Sequence, residues 1–127
     1  MKITVDEARK YFAHPSQHYM GITPDNLPEK GFEYRADGAL CLVFHASFWP
    51  GVYMVHCAAM PEGWGTLTEP GKRLLRAFYE EKQATRLIAW TPRSKRGALA
   101  LARRCGFIED GRFPVSDDEI IMQGWTP

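Results

Sequence analysis

The stretch "YMVHCAAMPEGWGTLTEPGKRLL", Tyr53 to Leu75, decides the fold. It opens with the alternation of a strand and ends with the apolar spacing of an amphipathic helix. Between them lies a corner with Pro61, Gly63, Trp64, Gly65, Pro70 and Gly71. A helix N-terminus exposes unpaired N–H groups and the positive end of the helix dipole, so it binds anions, phosphate above all. Glycine lets backbone approach such a ligand closely. The same glycines could merely turn the chain, with Gly71 merely letting the helix pack tightly on the sheet. Spacing alone does not separate the two.

Upstream, "GFEYRA" and "ALCLVFHAS" flank Asp37-Gly38, a hairpin signal. "VYMVHCAAM" follows after Trp49-Pro50-Gly51. With Pro50-Gly51 as a two-residue tip, His45 falls opposite His56 and Cys41 opposite Met60. Pro-Gly favours a type II turn, which suits hairpin twist poorly. Further upstream, Thr4 and Glu7 form a capping box that predicts a helix over residues 5–13, ended by His14-Pro15. Residues 15–31 read as a surface loop that borders a site.

Downstream, Leu67 to Gln83 reads as a helix with Thr68 as N-cap and Gly71, Leu74, Leu75 and Phe78 on its apolar face. "RLIAW" is a buried strand. "SKRGALALARRCGF" is a second helix with the stripe Ala98, Leu101, Ala102 and Cys105, stopped at Gly106. "FIEDGRF" and "EIIMQGW" close the chain as strands around "PVSDD". The segment from Val52 to Trp90 implies a right-handed crossover between parallel strands. The expectation is an α/β chain, residues 1–127 as one domain, with a mixed sheet flanked by helices.

Composition fits that frame: 127 residues, 45% hydrophobic and 24% charged, net charge +1. The whole chain is no polycation, so nucleic acid is not the expected partner; a basic cluster at residues 93–104 leaves that reading to a salt-dependence test. No apolar run approaches the roughly 20 residues that span a bilayer, and "MKITVDEARKYF" has no signal-peptide core. A cytoplasmic protein without membrane partners is expected. Cys41, Cys57 and Cys105 are far apart and suit reduced, buried thiols. His14 and His18 are separated by Pro15 and lack further ligands, so no metal is expected.

Three stretches together resemble the GNAT (Gcn5-related N-acetyltransferase) superfamily. They are "VHCAAMPEGWGTLTEPGKRLL", "RLIAWTPRSKRGALALARRCGF" with its Gly-Phe helix ending, and "IEDGRF" after it. The resemblance covers roughly residues 30–125 and implies a GNAT acyl-CoA N-acyltransferase fold. It implies acetyl-CoA as co-substrate and an amine acceptor, small molecule or protein. The family's loop reads Arg/Gln-x-x-Gly-x-Gly/Ala; here Thr66-Leu67-Thr68-Glu69-Pro70-Gly71 matches only at the last glycine. The family tyrosine that often serves as general acid falls at Ala102, and the family asparagine near Ser94 or Lys95. His56, Pro61 and Trp64-Gly65 resemble a compact branch often encoded by phages and prophages.

In such folds the thioester arm lies against the edge of the strand ending at Met60, which the resemblance assigns to Ala58 and Met60. Thr68, Gly71, Lys72, Lys95 and Arg96 are the candidates for the phosphates. An amine must lose a proton on acetylation. His56 is the first candidate base, because imidazole titrates near neutral pH; it could equally be a satisfied histidine within the sheet. Glu62 follows the strand end and could act directly or through water, or be a solvated loop carboxylate. Tyr53 could orient water or substrate, or simply pack. His45 matters if it meets His56, and Cys105 could protonate the departing thiolate unless it is only buried. The rival from another class is a GNAT-fold interaction or virion-associated protein without catalysis. Whether the chain forms a homodimer stays open.

Overall fold

A computed structural model describes residues 1–18 and 21–127. Among these residues, seven strands form one sheet in the order β1-β2-β3-β4-β5-β7-β6. They are β1 (Lys2–Ile3), β2 (Phe32–Asp37), β3 (Leu40–Ala46), β4 (Val52–Ala59), β5 (Arg86–Pro92), β6 (Ile108–Val115) and β7 (Asp118–Trp125). The helices are α1 (Val5–Ala8), α2 (Thr68–Glu81) and α3 (Arg96–Cys105).

Period-two alternation divides the sheet residues between the two faces of the sheet. On one face Leu40, Leu42, Phe44 and Val55 pack under Leu74, Leu75 and Phe78 of α2. On the other, Tyr34, Cys41, Val43 and Ala58 pack against Ala8, Tyr11 and Phe12 of the N-terminal segment. Thr4 and Glu7 form the expected capping box, but α1 stops at Ala8 and continues as a 3-10 helix, Arg9–Phe12. β1 has no counterpart in the sequence reading; two residues carry no detectable period.

The β3–β4 register differs from the one expected. His45 lies opposite Met54, and Cys41 opposite Ala58. The reason is the turn chemistry. The Val52 N–H donates to the Trp49 carbonyl at 3.0 Å, and Gly51 has φ +84°. Pro50-Gly51 is therefore the centre of a type II turn set inside a longer loop, residues 48–51. The ladder closes beyond it, with the Ser47 N–H donating to Val52 O at 3.0 Å. The slip is two residues, so every side chain keeps its face.

β4 and β5 run parallel through only three pairs, Val52↔Arg86, Tyr53↔Leu87 and Met54↔Ile88. Beyond them β4 stays paired with β3 as far as Ala59, and β5 stays paired with β7 as far as Pro92. The sheet splits into a wedge at that point.

Candidate active site

Behind the wedge lies a narrow slot of about 40 Å³. Val55, His56 and Cys57 line one wall, Ala89, Trp90 and Thr91 the other, and Ala98, Ala102 and Cys105 of α3 reach over it. The slot meets a groove of about 560 Å³ between the starts of α2 and α3. α3 fully buries only Cys105 of its predicted stripe. Leu99 and Cys105 are buried, while Ala98, Leu101 and Ala102 stay half-exposed as cavity wall.

Strand geometry decides which β4 groups face the wedge. The Met60 N–H donates to Ala39 O at 2.9 Å, on the β3 side. Alternation then points the backbone of Cys57 and Ala59 toward the wedge, and that of Ala58 and Met60 toward β3. The Ala59 N–H donates to Gln17 Oε1 at 3.1 Å. Gln17 also lines the groove. The backbone positions on the wedge are thus one residue away from the expected Ala58 and Met60, whose side chains sit in or against the N-terminal core.

Two helix N-termini open on the groove. The N-cap of α2 is Leu67, not Thr68, and it makes no side-chain cap. The N-cap of α3 is Lys95, again with no side-chain cap. Leu67, Thr68, Lys95, Arg96 and Arg104 all line the groove. Among the described residues, Arg96 and Arg104 have no carboxylate within salt-bridge distance. No Asp or Glu lines either cavity among the described residues. Helix N-termini without side-chain caps, beside Arg96 and Arg104, favour an anion in this groove. Gly65, at φ +93°, and Gly97 both face open space there.

The histidines meet in spite of the register. His45 is diagonal to His56 on the same face, and their Nε2 atoms are 3.1 Å apart. The rings lie nearly parallel, at 11°. Burial first, and the neighbouring His45 second, push the His56 imidazole down to about 4. It is neutral at pH 7 and can accept a proton. Burial likewise raises the Cys105 thiol to about 11, so it stays protonated beside the slot.

The other expected site residues lie elsewhere. Tyr53 packs edge-on against Phe78, ring centroids 5.0 Å apart, against the main core. Glu62 is exposed in the 3-10 turn Pro61–Gly63, outside both cavity linings. The Lys72 ammonium is 3.5 Å from the Glu69 carboxylate and does not line the groove. Gly71 is buried, and a Cβ there would stand 2.7 Å from Cys105 Sγ. Its smallness serves helix packing. Arg104, part of the basic cluster at residues 93–104 that the sequence offers for phosphates, reaches the groove. The sequence reading missed Gln17, Cys57 and Ala59; Gln17 carried no signal, because only the folded loop brings it to β4.

No protein-family model matches the chain, and no curated protein does. Solved structures do. A GNAT-family acetyltransferase from Bacillus anthracis superposes with TM-score 0.72 at 15% identity, over 94% of this chain and 87% of that one. The aminoglycoside acetyltransferase AAC(6')-Ib, in complex with coenzyme A and kanamycin, gives 0.75 at 12% identity, over 99% and 92%. A spermidine N-acetyltransferase from Vibrio cholerae gives 0.62 at 13% identity, over 75% and 65%. With its mixed sheet split between β4 and β5, the chain has the fold of the GNAT acetyltransferases.

Proposed function

We propose that the chain is an acetyl-CoA-dependent N-acetyltransferase acting on a small-molecule primary amine. The observation that carries this reading is the groove where two uncapped helix N-termini meet Arg96 and Arg104 and run into a slot between diverging strands. The groove suits the phosphates, and the narrow slot of about 40 Å³ suits a slender arm. AAC(6')-Ib, which shares the fold, holds coenzyme A. Bound acetyl-CoA supplies an activated thioester. Thr68, Lys95, Arg96 and Arg104 hold the phosphates, and the β4 edge at Ala59 receives an arm carbonyl once Gln17 withdraws. His56 takes the amine proton at the inner end of the slot.

The lining also bears on the acceptor. At the inner end of the slot, where the amine must reach the thioester, no carboxylate lines the wall among the described residues, so a polycation gains no ion pair there. The aromatic ring of Trp90 and the neutral His56 favour an amine carried on an uncharged, apolar frame.

Calorimetric titration with acetyl-CoA and with coenzyme A tests the first step, with coenzyme thiol release over a panel of benzylamine, spermidine and kanamycin as the second. Micromolar binding of both coenzymes and preferred turnover of benzylamine are expected. No binding at millimolar coenzyme would overturn the enzyme reading. Preference for kanamycin or spermidine would overturn the acceptor assignment alone.

A further inference from the structure

We propose that His45 is a positioning residue that sets the tautomer of His56, leaves its Nδ1 free, and takes the Nε2 proton when His56 accepts one at Nδ1. The chemical use of the pair rests on the N-acetyltransferase reading; the proton arrangement does not.

The hydrogen bonds determine the tautomers. His45 Nδ1 is 3.1 Å from the Ala46 carbonyl oxygen. A carbonyl only accepts, so Nδ1 carries a proton. The Nε2 of neutral His45 is then an acceptor. It lies 3.1 Å from His56 Nε2, which must donate. His56 is left with a bare lone pair on Nδ1, the nitrogen not engaged by His45.

The groups packed around the pair are apolar or neutral. The Phe32 ring of β2 lies tilted against the His45 ring, centroids 4.6 Å apart, and Met54 of β4 stands opposite it. On the same face Tyr34 donates its hydroxyl to Pro28 O, Tyr11 to Gly38 O, and His18 contacts Phe12 O. Burial holds the Cys41 thiol near 12, neutral. On β5, Trp90 shares the slot with His56. The titratable neighbour that acts on His56 is His45. His56 is desolvated, which disfavours an imidazolium there. His45 sits at the open end of β3 beside exposed Ala46, and the Ala46 carbonyl supports a cation.

The transfer balances. As the amine nitrogen bonds to the acetyl carbon, its proton goes to His56 Nδ1, and the His56 Nε2 proton moves to His45 Nε2. As the carbon–sulfur bond breaks, both transfers reverse and Nδ1 gives its proton to the leaving thiolate. Amine and thioester become amide and thiol with no net proton taken from water, and Ala102, where the fold family often has a tyrosine, is not needed as an acid.

Three proteins test this: the native chain, His45→Phe and His45→Gln, each first checked for native circular dichroism. Phe removes the acceptor. Gln keeps an acceptor for His56 Nε2–H but cannot take a proton. Nitrogen-15 NMR of histidine-labelled, ligand-free protein at pH 7 should show His56 protonated on Nε2 in the native chain and in His45→Gln, and a shifted tautomer ratio in His45→Phe. With the best amine of the panel, both variants should lose about tenfold or more in kcat, and the native pH profile should be altered in His45→Gln. A native His56 protonated on Nδ1, or an unchanged tautomer in His45→Phe, would overturn the proposal. So would native turnover and pH profile in His45→Gln. The NMR arms decide even if no amine is acetylated, so failure of the enzyme reading and of this one are told apart.

Discussion

His56 is where burial and chemistry meet. Its folded value of about 4 lies below the ordinary 6.5. Between those values the unfolded chain binds a proton that the folded chain refuses, so stability is complete above pH 6.5 and falls as pH drops toward 4. Urea midpoints across that window should show this loss, and His56→Gln should flatten it. For turnover, His56→Ala should cut kcat by about a hundredfold or more while coenzyme affinity changes by less than about twofold. Equal losses in both would assign His56 to binding. Gln17 makes the opposite kind of prediction. Its Oε1 occupies the Ala59 N–H that an incoming carbonyl would use. Removing that competitor is worth about one net hydrogen bond, so Gln17→Ala should bind coenzyme A about two- to tenfold more tightly by calorimetry. Weaker binding would make Gln17 a ligand contact.

Among the elements, α2 was legible from its stripe: Gly71, Leu74, Leu75 and Phe78 are all buried. Its start was not. Thr68 is a good capping residue by type, yet the tight corner Gly63–Thr66, with the Thr66 hydroxyl donating to Gly63 O at 2.7 Å, places Leu67 at the cap instead. The β3–β4 register was missed because loop length is set by where a type II turn can sit, which strand pattern does not encode. The site was half legible. Side chains named for their chemistry, His56, Lys95 and Arg96, reach the cavities. Backbone positions on β4 could not be chosen without the register, and a one-residue error turns a backbone group to the other neighbour strand. Gly71 gives a test at this scale. Gly71→Ala should cost about 1–3 kcal/mol by overpacking against Cys105. Cys105→Ala in the same chain should recover most of that loss. Without recovery, Gly71 matters for something other than helix packing.

For the molecule as a whole, charge is distributed by face. Net charge is only +1, but the groove gathers Lys95, Arg96 and Arg104 without a lining carboxylate among the described residues. On other faces cations are paired with acids: Arg73 bonds Asp37 at 2.9 Å, and Arg86 holds both carboxylate oxygens of Asp110 at 2.8 Å. Coenzyme affinity should therefore fall about tenfold between low and 0.5 M salt while the urea midpoint moves little. A salt-insensitive affinity would mean that the phosphates sit outside the groove.

The split between β4 and β5 has a consequence for how the molecule meets extended chains. An ordinary sheet offers its hydrogen-bonding edge at the outside, where any other strand can add to it. Here two such edges face each other indoors, joined by three parallel pairs at one end and lined by α3 beyond them. A guest that threads the wedge becomes, in effect, a non-protein strand completing the sheet. The fold thus converts a hazard of β-structure into selectivity: slender, amide-bearing molecules can enter, and folded neighbours cannot.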